Sequence, residues 1–301
     1  MSRRRSDRVQ GILLLDKPEG LTSTQALNRA KHALGARRGG HTGSLDPLAT
    51  GILPLTFGEA TKLSAYLLNA GKSYRAEARL GVATETGDAD GAVRTEAPVP
   101  RLKKAAVDQV LDRFRGEIEQ VPPMYSALKH KGERLYEIAR RGEVVERRPR
   151  PVTIEELRLT ALKPDGMTLE LRCSKGTYVR TLVEDIAEAL GTCGHVVALR
   201  RTAVAGFDEG RDPWVTLAEL ETAEAPRALL MPPDSALRER PALHLGGDLT
   251  HFLRHGQPVI VPQAPTEGFI RLYDEEGRFF GVGEMIDDGR IAPRRLLHAD
   301  T

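Results

Sequence analysis

Residues 73–81, SYRAEARLG, alternate without a break: Tyr74, Ala76, Ala78 and Leu80 fall on one side and Arg75, Glu77 and Arg79 on the other. A period of two marks a strand with one face in a core and one in water, because successive side chains on a pleated strand point to opposite faces. Tyr74 therefore belongs to the buried face. Further strand signals are Gly11–Leu15, Val152–Leu162, MTLELRCS from Met167 and HVVALRRTAV from His195. Helical stripes are fewer. Leu27, Ala30 and Leu34 follow a Thr-Ser cap in Thr22–Leu34, and Glu59–Leu68 repeats that surface-helix pattern less cleanly. Val107, Val110, Leu111 and Phe114 form one apolar stripe, and Leu182, Val183, Ile186 and Leu190 another. Strands that outnumber long helices, with the helices interspersed irregularly, predict an α+β domain on a mixed or antiparallel sheet.

A composition shift at Glu224–Pro241, carrying Pro226, Pro232, Pro233 and Pro241, reads as a connection between domains. The expectation is one domain over residues 1–240 and a small β-rich one over 241–301, built from GFIRLYD, RFFGVGEM, a turn at Asp287–Gly289 and RIAPRRLL. Roughly sixty residues make a thin core, so the second should lean on the first.

Lys and Arg number 44 against 42 Asp and Glu, a formal net charge of +2, so the chain as a whole has little attraction for a polyanion. Any nucleic-acid footprint must be local. Basic clusters occur at Arg3–Arg5, Arg37 and Arg38, Lys129–Lys131, Arg140 and Arg141, Arg147–Arg150, Arg200 and Arg201, and Arg294 and Arg295. Such runs are commonly solvated faces. The group Lys129–Arg150, punctuated by Gly132 and Gly142, reads instead as a mobile basic insertion, about residues 124–151, suited to phosphate.

Cys173 and Cys193 supply neither a disulfide framework nor a zinc set, which fits a reducing cytoplasm. His251 and His255 stand at i,i+4 with no third ligand following. No apolar run approaches the ~18 residues of a membrane span, and the opening MSRRRSDR reads as a frayed basic tail. Gly39, Gly40 and Gly43 lack the spacing of a nucleotide-binding loop, and Asp88 and Asp90 in GDADG lack the later ligands of a calcium loop, which leaves a turn. No metal or organic cofactor is implied.

In GHTGSLDPLATGIL, residues 40–53, no acid or base other than Asp46 stands between His41 and Glu59. Gly40, Gly43 and Pro47 put it on a tight loop, although an Asx turn or helix N-cap explains the same spacing. Upstream, GILLLDKPEGLTS reads as a short buried strand ending at Asp16, Lys17, Pro18 and Gly20. Downstream, SKGTYVRT gathers Lys175, Tyr178 and Arg180 where a loop enters a helix.

The segments KPEGLTS, GHTGSLDPLATGIL, SYRAEARLGVATETGDADG, CSKGTYVRT and GHVVALRR, in this order from about Gly11 to Leu297, resemble the TruB family of tRNA pseudouridine synthases. The resemblance implies isomerisation of uridine to pseudouridine at position 55 in the T loop of tRNA, with the base flipped from its stack, and a C-terminal domain similar to the PUA-type RNA-binding barrel. It makes Asp46 the catalytic aspartate and Arg180 the cation that keeps it ionised against burial. Tyr74 stacks on the uracil with its hydroxyl towards the C5 proton, and Tyr178 and Leu199 complete the wall. His41 contacts RNA near the vacated base position, while Lys17 and Pro18 support the pocket, with Lys17 also a candidate for a phosphate. Taken alone, Tyr74 reads as core, Arg180 as a surface salt bridge near a helix start, and His41 as a loop histidine satisfied by turn backbone. The implied partner is tRNA, through its T stem-loop, on a cytoplasmic monomer with no obligate protein partner. Competing readings are a noncatalytic tRNA-binding or folding module, a guide-RNA-dependent pseudouridine synthase, and an Asp-nucleophile hydrolase, the last short of a water-activating base other than His41.

Overall fold

A computed structural model describes residues 9–298, so the basic run Arg3–Arg5 and the MSRRRSDR opening lie outside the described residues. The chain runs β1 (Gly11–Lys17), α1 (Ser23–Leu34), β2 (Gly39–His41), β3 (Thr50–Phe57), α2 (Ser64–Leu68), β4 (Lys72–Leu80), β5 (Val82–Thr84), β6 (Val93–Glu96), α3 (Lys104–Asp112) and β7 (Gly116–Gln120). It continues through β8 (Lys129–His130), β9 (Glu133–Arg134), α4 (Leu135–Arg140), β10 (Arg150–Lys163), β11 (Gly166–Cys173), α5 (Val179–Ala189), β12 (Gly194–Val204), β13 (Phe207–Asp208), β14 (Val215–Thr216) and α6 (Leu217–Thr222). The last elements are β15 (Ala242–His244), α7 (Gly247–Arg254), β16 (Phe269–Tyr273), β17 (Phe279–Met285) and β18 (Ile291–Leu296).

Ten strands form one mixed sheet in the order β14-β1-β3-β12-β4-β11-β10-β7, with β2 on β3 and β13 on β12. Only β1–β14 and β3–β12 pair in parallel within it. The β3–β12 junction is tight: a Cβ at Gly51 would stand 2.2 Å from the Arg201 carbonyl oxygen, and Gly51 has φ +98°, so only glycine fits. The alternation of β4 is realised residue for residue, with Tyr74, Ala76, Ala78 and Leu80 buried and Arg75, Glu77 and Arg79 exposed.

Strand β1, between the edge strand β14 and β3, is buried on both faces. Leu13 and Leu15 join α1, α3 and α5 in one core, through Ala26, Ala30, Val107, Leu111, Leu182, Val183 and Ile186. Ile12 and Leu14 face a second core with Ile52, Leu63, Leu67, Val204 and Phe207. The Thr22 hydroxyl caps α1 by accepting from the Gln25 N–H.

One expectation changes and two gain detail. Glu59–Leu68 is a 3-10 turn, Gly58–Leu63, followed by the single turn α2, because Ala60, Leu63 and Leu67 turn into the second core and no long amphipathic face develops. The proline-rich connection is not a free linker: Ile12 and Met231 exchange backbone hydrogen bonds of 2.9 and 2.8 Å, and Ala236 and Leu237 are buried. The C-terminal unit is β-rich, as the sequence indicates, pairing β15-β16-β17-β18, and it adds a helix, α7, packed on them through Leu253.

That unit has its own core of Leu245, Leu253, Val259, Ile270, Leu272, Phe280 and Ile291, but Val282 and Leu297 belong to the second core of the large sheet. The leaning expected of a thin domain is therefore built from shared apolar burial. Trp214, the only tryptophan, packs on that same cluster. Val282→Ala should cost roughly 2 kcal/mol and move the denaturant midpoint read by Trp214 fluorescence. A midpoint unchanged there, with the C-terminal sheet alone melting, would mean the two units unfold independently.

Candidate active site

Asp46 lies on the loop between β2 and β3, and its neighbours are fixed from three sides. The Leu45 N–H donates to the Ser23 hydroxyl at 2.7 Å, the Gly20 N–H donates to the Pro47 carbonyl at 2.8 Å, and the Ala49 N–H closes a turn on the Asp46 carbonyl at 3.1 Å. Among the described residues the carboxylate itself caps no backbone N–H. It takes Arg180 Nε at 3.0 Å on Oδ2 and Nη2 at 3.3 Å on Oδ1, a bidentate fork.

Arg180 sits in the first turn of α5 and is 5% exposed. Its remaining donors go to the Thr86 carbonyl (2.6 Å) and the Tyr125 carbonyl (2.8 Å), and Nη1 faces Asp88 Oδ2 at 3.6 Å. Asp88, read from sequence as a turn residue, is also a buried second carboxylate on the same guanidinium. Tyr178, the residue before α5, is held by Gln120, which accepts from the Tyr178 N–H at 3.0 Å and donates to its carbonyl at 3.3 Å. Gln120 ends β7, immediately before the insertion.

The fork opens onto a cleft of about 1,330 Å³ whose lining includes Asp46, Tyr74, Tyr178, Arg180, Leu199 and Arg201. Strand register explains the gathering: Tyr74 on β4 stands opposite Leu171 on β11 and Arg201 on β12, and Leu199 stands opposite Ala76. The Asp46 side chain keeps 38% of its surface open to the cleft, yet protein encloses its other sides closely enough that burial is the largest influence on it. Arg180 and, more weakly, Lys17 pull its pKa down while Asp88 and Asp90 push it up, and the net direction is upward. The guanidinium thus opposes the burial penalty without cancelling it. Burial likewise raises Tyr74 and Tyr178.

Lys17, Pro18 and His41 do not line the cleft. Lys17 is fully buried, and its ammonium donates to the Pro18, Leu21 and Pro47 carbonyls at 2.7, 2.7 and 3.3 Å, so it braces the Asp46 loop and is closed to a phosphate. Pro18 is exposed on that turn. His41 ends β2, half-buried, with Nδ1 lacking a partner among the described residues; burial, then Arg201 and Arg134, lower its pKa.

The insertion folds into the hairpin β8–β9 and the helix α4, with Leu135 and Ile138 buried. Glycine punctuation therefore marks turns of a folded arm over the cleft. Arg134 and Arg140 flank the Tyr136 ring at 5.9 and 5.5 Å, and all three line the cleft, whereas Arg141 is paired with Glu133 and Glu143. Arg200 and Arg201 are not an RNA-facing patch: Arg200 pairs with Asp16 at 3.0 Å and Glu209 at 2.7 Å, and Arg201 is fully buried.

A relative from Pseudomonas aeruginosa (strain UCBPP-PA14), named tRNA pseudouridine synthase B, is 53% identical over 297 residues, 97% of each chain. The chain belongs to the TruB family of pseudouridine synthases. Residues 31–179 match the TruB family pseudouridylate synthase N-terminal domain, 180–238 the tRNA pseudouridylate synthase B C-terminal domain, and 241–297 the pseudouridine synthase II TruB C-terminal domain. Proteins of the same name from Nitrosococcus oceani and Coxiella burnetii (strain Dugway 5J108-111) are 52% and 51% identical, covering 97% and 96% of this chain and 96% and 95% of theirs. As a TruB family member the chain is an enzyme of the isomerase class.

The TruB fold extends to two solved assemblies. An H/ACA RNP bound to a substrate RNA containing 2'-deoxyuridine has a chain that aligns at TM-score 0.72 and 21% identity over 96% of this chain and 85% of that one. A Cbf5-Nop10-Gar1 complex gives 0.71 and 24% over 97% and 84%. Among the described residues, no helix is long and apolar enough to cross a membrane, and no group of three or more His, Cys, Asp or Glu could hold a metal ion.

Sequence reasoning missed Asp88, Gln120 and Arg201. For Arg201 a signal was present: period-two alternation along HVVALRR puts it on the Leu199 face. For Asp46 the linkage has a definite sign. A folded-state pKa above the unfolded value means ionisation costs stability, fully at pH above the folded pKa and not at all below the unfolded one. Asp46→Asn should therefore melt above the parent at about pH 8 and lose that advantage towards about pH 4. Scanning calorimetry across that range checks it; a variant that melts lower at the alkaline end contradicts the upward shift.

Proposed function

We propose that the chain isomerises uridine 55 in the T loop of tRNA to pseudouridine, with Asp46 as the essential carboxylate. One arrangement carries this reading: the Asp46–Arg180 fork on the floor of a cleft walled by Tyr74, Tyr178 and Leu199. The relatives named tRNA pseudouridine synthase B support tRNA as the substrate.

The reaction cuts the bond between C1′ and N1, turns the uracil and rejoins it through C5. The target nucleotide first leaves its stack at a cost of a few kcal/mol, which protein stacking and backbone contacts offset. Asp46 acts at C1′ in its ionised form, and Arg180 holds that form and its orientation. Tyr74 stacks on the extruded base; burial keeps its phenol neutral, so it serves as platform and hydrogen-bonding group rather than as a phenolate. Tyr178 and Leu199 exclude water from the detached base. His41, its pKa lowered, contributes as a neutral ring near the vacated stack.

Residues 1–240 make up the catalytic part, and 241–301 a PUA-type RNA-binding part. Arg134 and Arg140 on the folded arm meet phosphates of the T stem, and the chain acts as a monomer in the cytoplasm without guide RNA. The test is an unmodified T stem-loop transcript, mapped for pseudouridine at single-nucleotide resolution. The parent should modify one uridine, and Asp46→Asn should bind the transcript and modify none. Turnover by Asp46→Asn at the parental rate refutes the assignment.

Arg134→Gln with Arg140→Gln should weaken binding most at low salt. The slope of log affinity against log salt should fall by about 1 for each phosphate left without its arginine. An unchanged slope would remove the arm from the RNA interface.

A further inference from the structure

The cleft face of β12 carries a cation that the reaction outlined above does not use. Arg201 is fully buried, and among the described residues no carboxylate lies within ion-pair distance of it. Its Nε donates to the Ile52 carbonyl on β3 at 2.7 Å, and Nη2 donates to the Gly43 carbonyl at 3.3 Å, three residues before Asp46. Nη1 is buried and makes no well-formed hydrogen bond among the described residues, although the guanidinium stands within hydrogen-bonding reach of the Tyr74 phenol.

Register sets Arg201 directly opposite Tyr74 across β12 and β4, so the two side chains share a face. The guanidinium lies close enough to the phenol to pull against the effect of burial on it. An unsatisfied buried donor costs about 1–3 kcal/mol, more when charged. The two carbonyls account for Nε and Nη2, and packing leaves Nη1 without a role.

We propose that Arg201 is a positioning residue for pseudouridine formation: two donors pin the Asp46 loop to β3, and the remaining amino group orients the Tyr74 phenol. The inference rests on the reading of Asp46 and Tyr74 given above. One planar fork then sets the spacing between the carboxylate that meets the sugar and the ring that carries the base. Displacement of such groups by about 1 Å costs on the order of 10²-fold in rate. Lysine offers one point donor in place of the fork and cannot reach both carbonyls and the phenol together.

The experiment measures single-turnover pseudouridine formation on saturating T stem-loop transcript, and transcript affinity separately, for the parent, Arg201→Met, Arg201→Lys, Tyr74→Phe and the Arg201→Met/Tyr74→Phe double variant. Arg201→Met should slow the saturated rate on the order of 10²-fold with affinity within about threefold of the parent. Arg201→Lys should lose about tenfold. The Met substitution should cost markedly less on top of Tyr74→Phe than in the parent, since part of its effect runs through that hydroxyl. A parental rate in Arg201→Met, rate and affinity falling in parallel, or fully additive losses each overturn the assignment. If Arg201→Met does not fold, Arg201→Lys carries the same comparison, and a parental rate in it overturns the proposal. A parent that binds the transcript and forms no pseudouridine overturns the functional reading first, and this proposal with it.

Discussion

One guanidinium stands between two carboxylates. Arg180 meets Asp46 through a bidentate fork and Asp88 at 3.6 Å, and spends its other hydrogen bonds on the carbonyls of Thr86 and Tyr125. Those groups come from the Asp46 loop, the turn after β5 and the root of the insertion, so a single buried side chain closes three remote segments around the site. At ~4 Å and an effective dielectric of ~20 a charge pair is worth about 4 kcal/mol, the same order as the cost of taking an ion out of water. With one cation shared by two acids, desolvation prevails at Asp46, and its pKa rises. A carboxylate held at that balance is poorly solvated and fixed against its cation, which suits the role at a sugar carbon proposed for it.

The ground beneath that pair is positively charged and uses backbone oxygen in place of acids. Lys17 and Lys72 are buried with their ammonium groups on carbonyls, two of them from the turns that frame the cleft, and burial lowers both to about 8. Arg201 repeats the pattern with the Ile52 and Gly43 carbonyls. Loop carbonyls that would otherwise lack partners are satisfied in this way. The Asp46 loop is consequently held by side chains from β1, α1 and β12, on a sheet whose parallel β3–β12 junction tolerates only glycine at position 51.

Around this rigid centre the remaining parts divide the labour. The arm after β7 brings Arg134, Tyr136 and Arg140 over the cleft while its root, through Gln120 and Tyr125, is tied to the start of α5. Whatever seats the arm therefore bears on the two residues that frame Asp46. The C-terminal unit shares apolar burial with the far face of the sheet, through Val282 and Leu297, away from the cleft.

The sequence alone determined the elements whose signal is local. Alternation in SYRAEARLG assigned Tyr74 to the buried face, apolar stripes placed α1, α3 and α5, and five ordered motifs marked Asp46, Tyr74, Tyr178, Arg180 and Leu199. Only the tertiary structure decided what those residues face. Asp88 looked like a turn residue until folding brought it to Arg180, 92 positions away along the chain by their numbering. Lys17 looked open to a phosphate until the fold buried it on carbonyls, Arg201 was one half of a basic pair until the fold buried it likewise, and the insertion showed buried anchors, Leu135 and Ile138, only once folded. Periodicity reports which way a side chain points along its own element. Burial and pairing depend on which other element arrives there, and strand register across β3, β12 and β4 is a property of the assembled sheet.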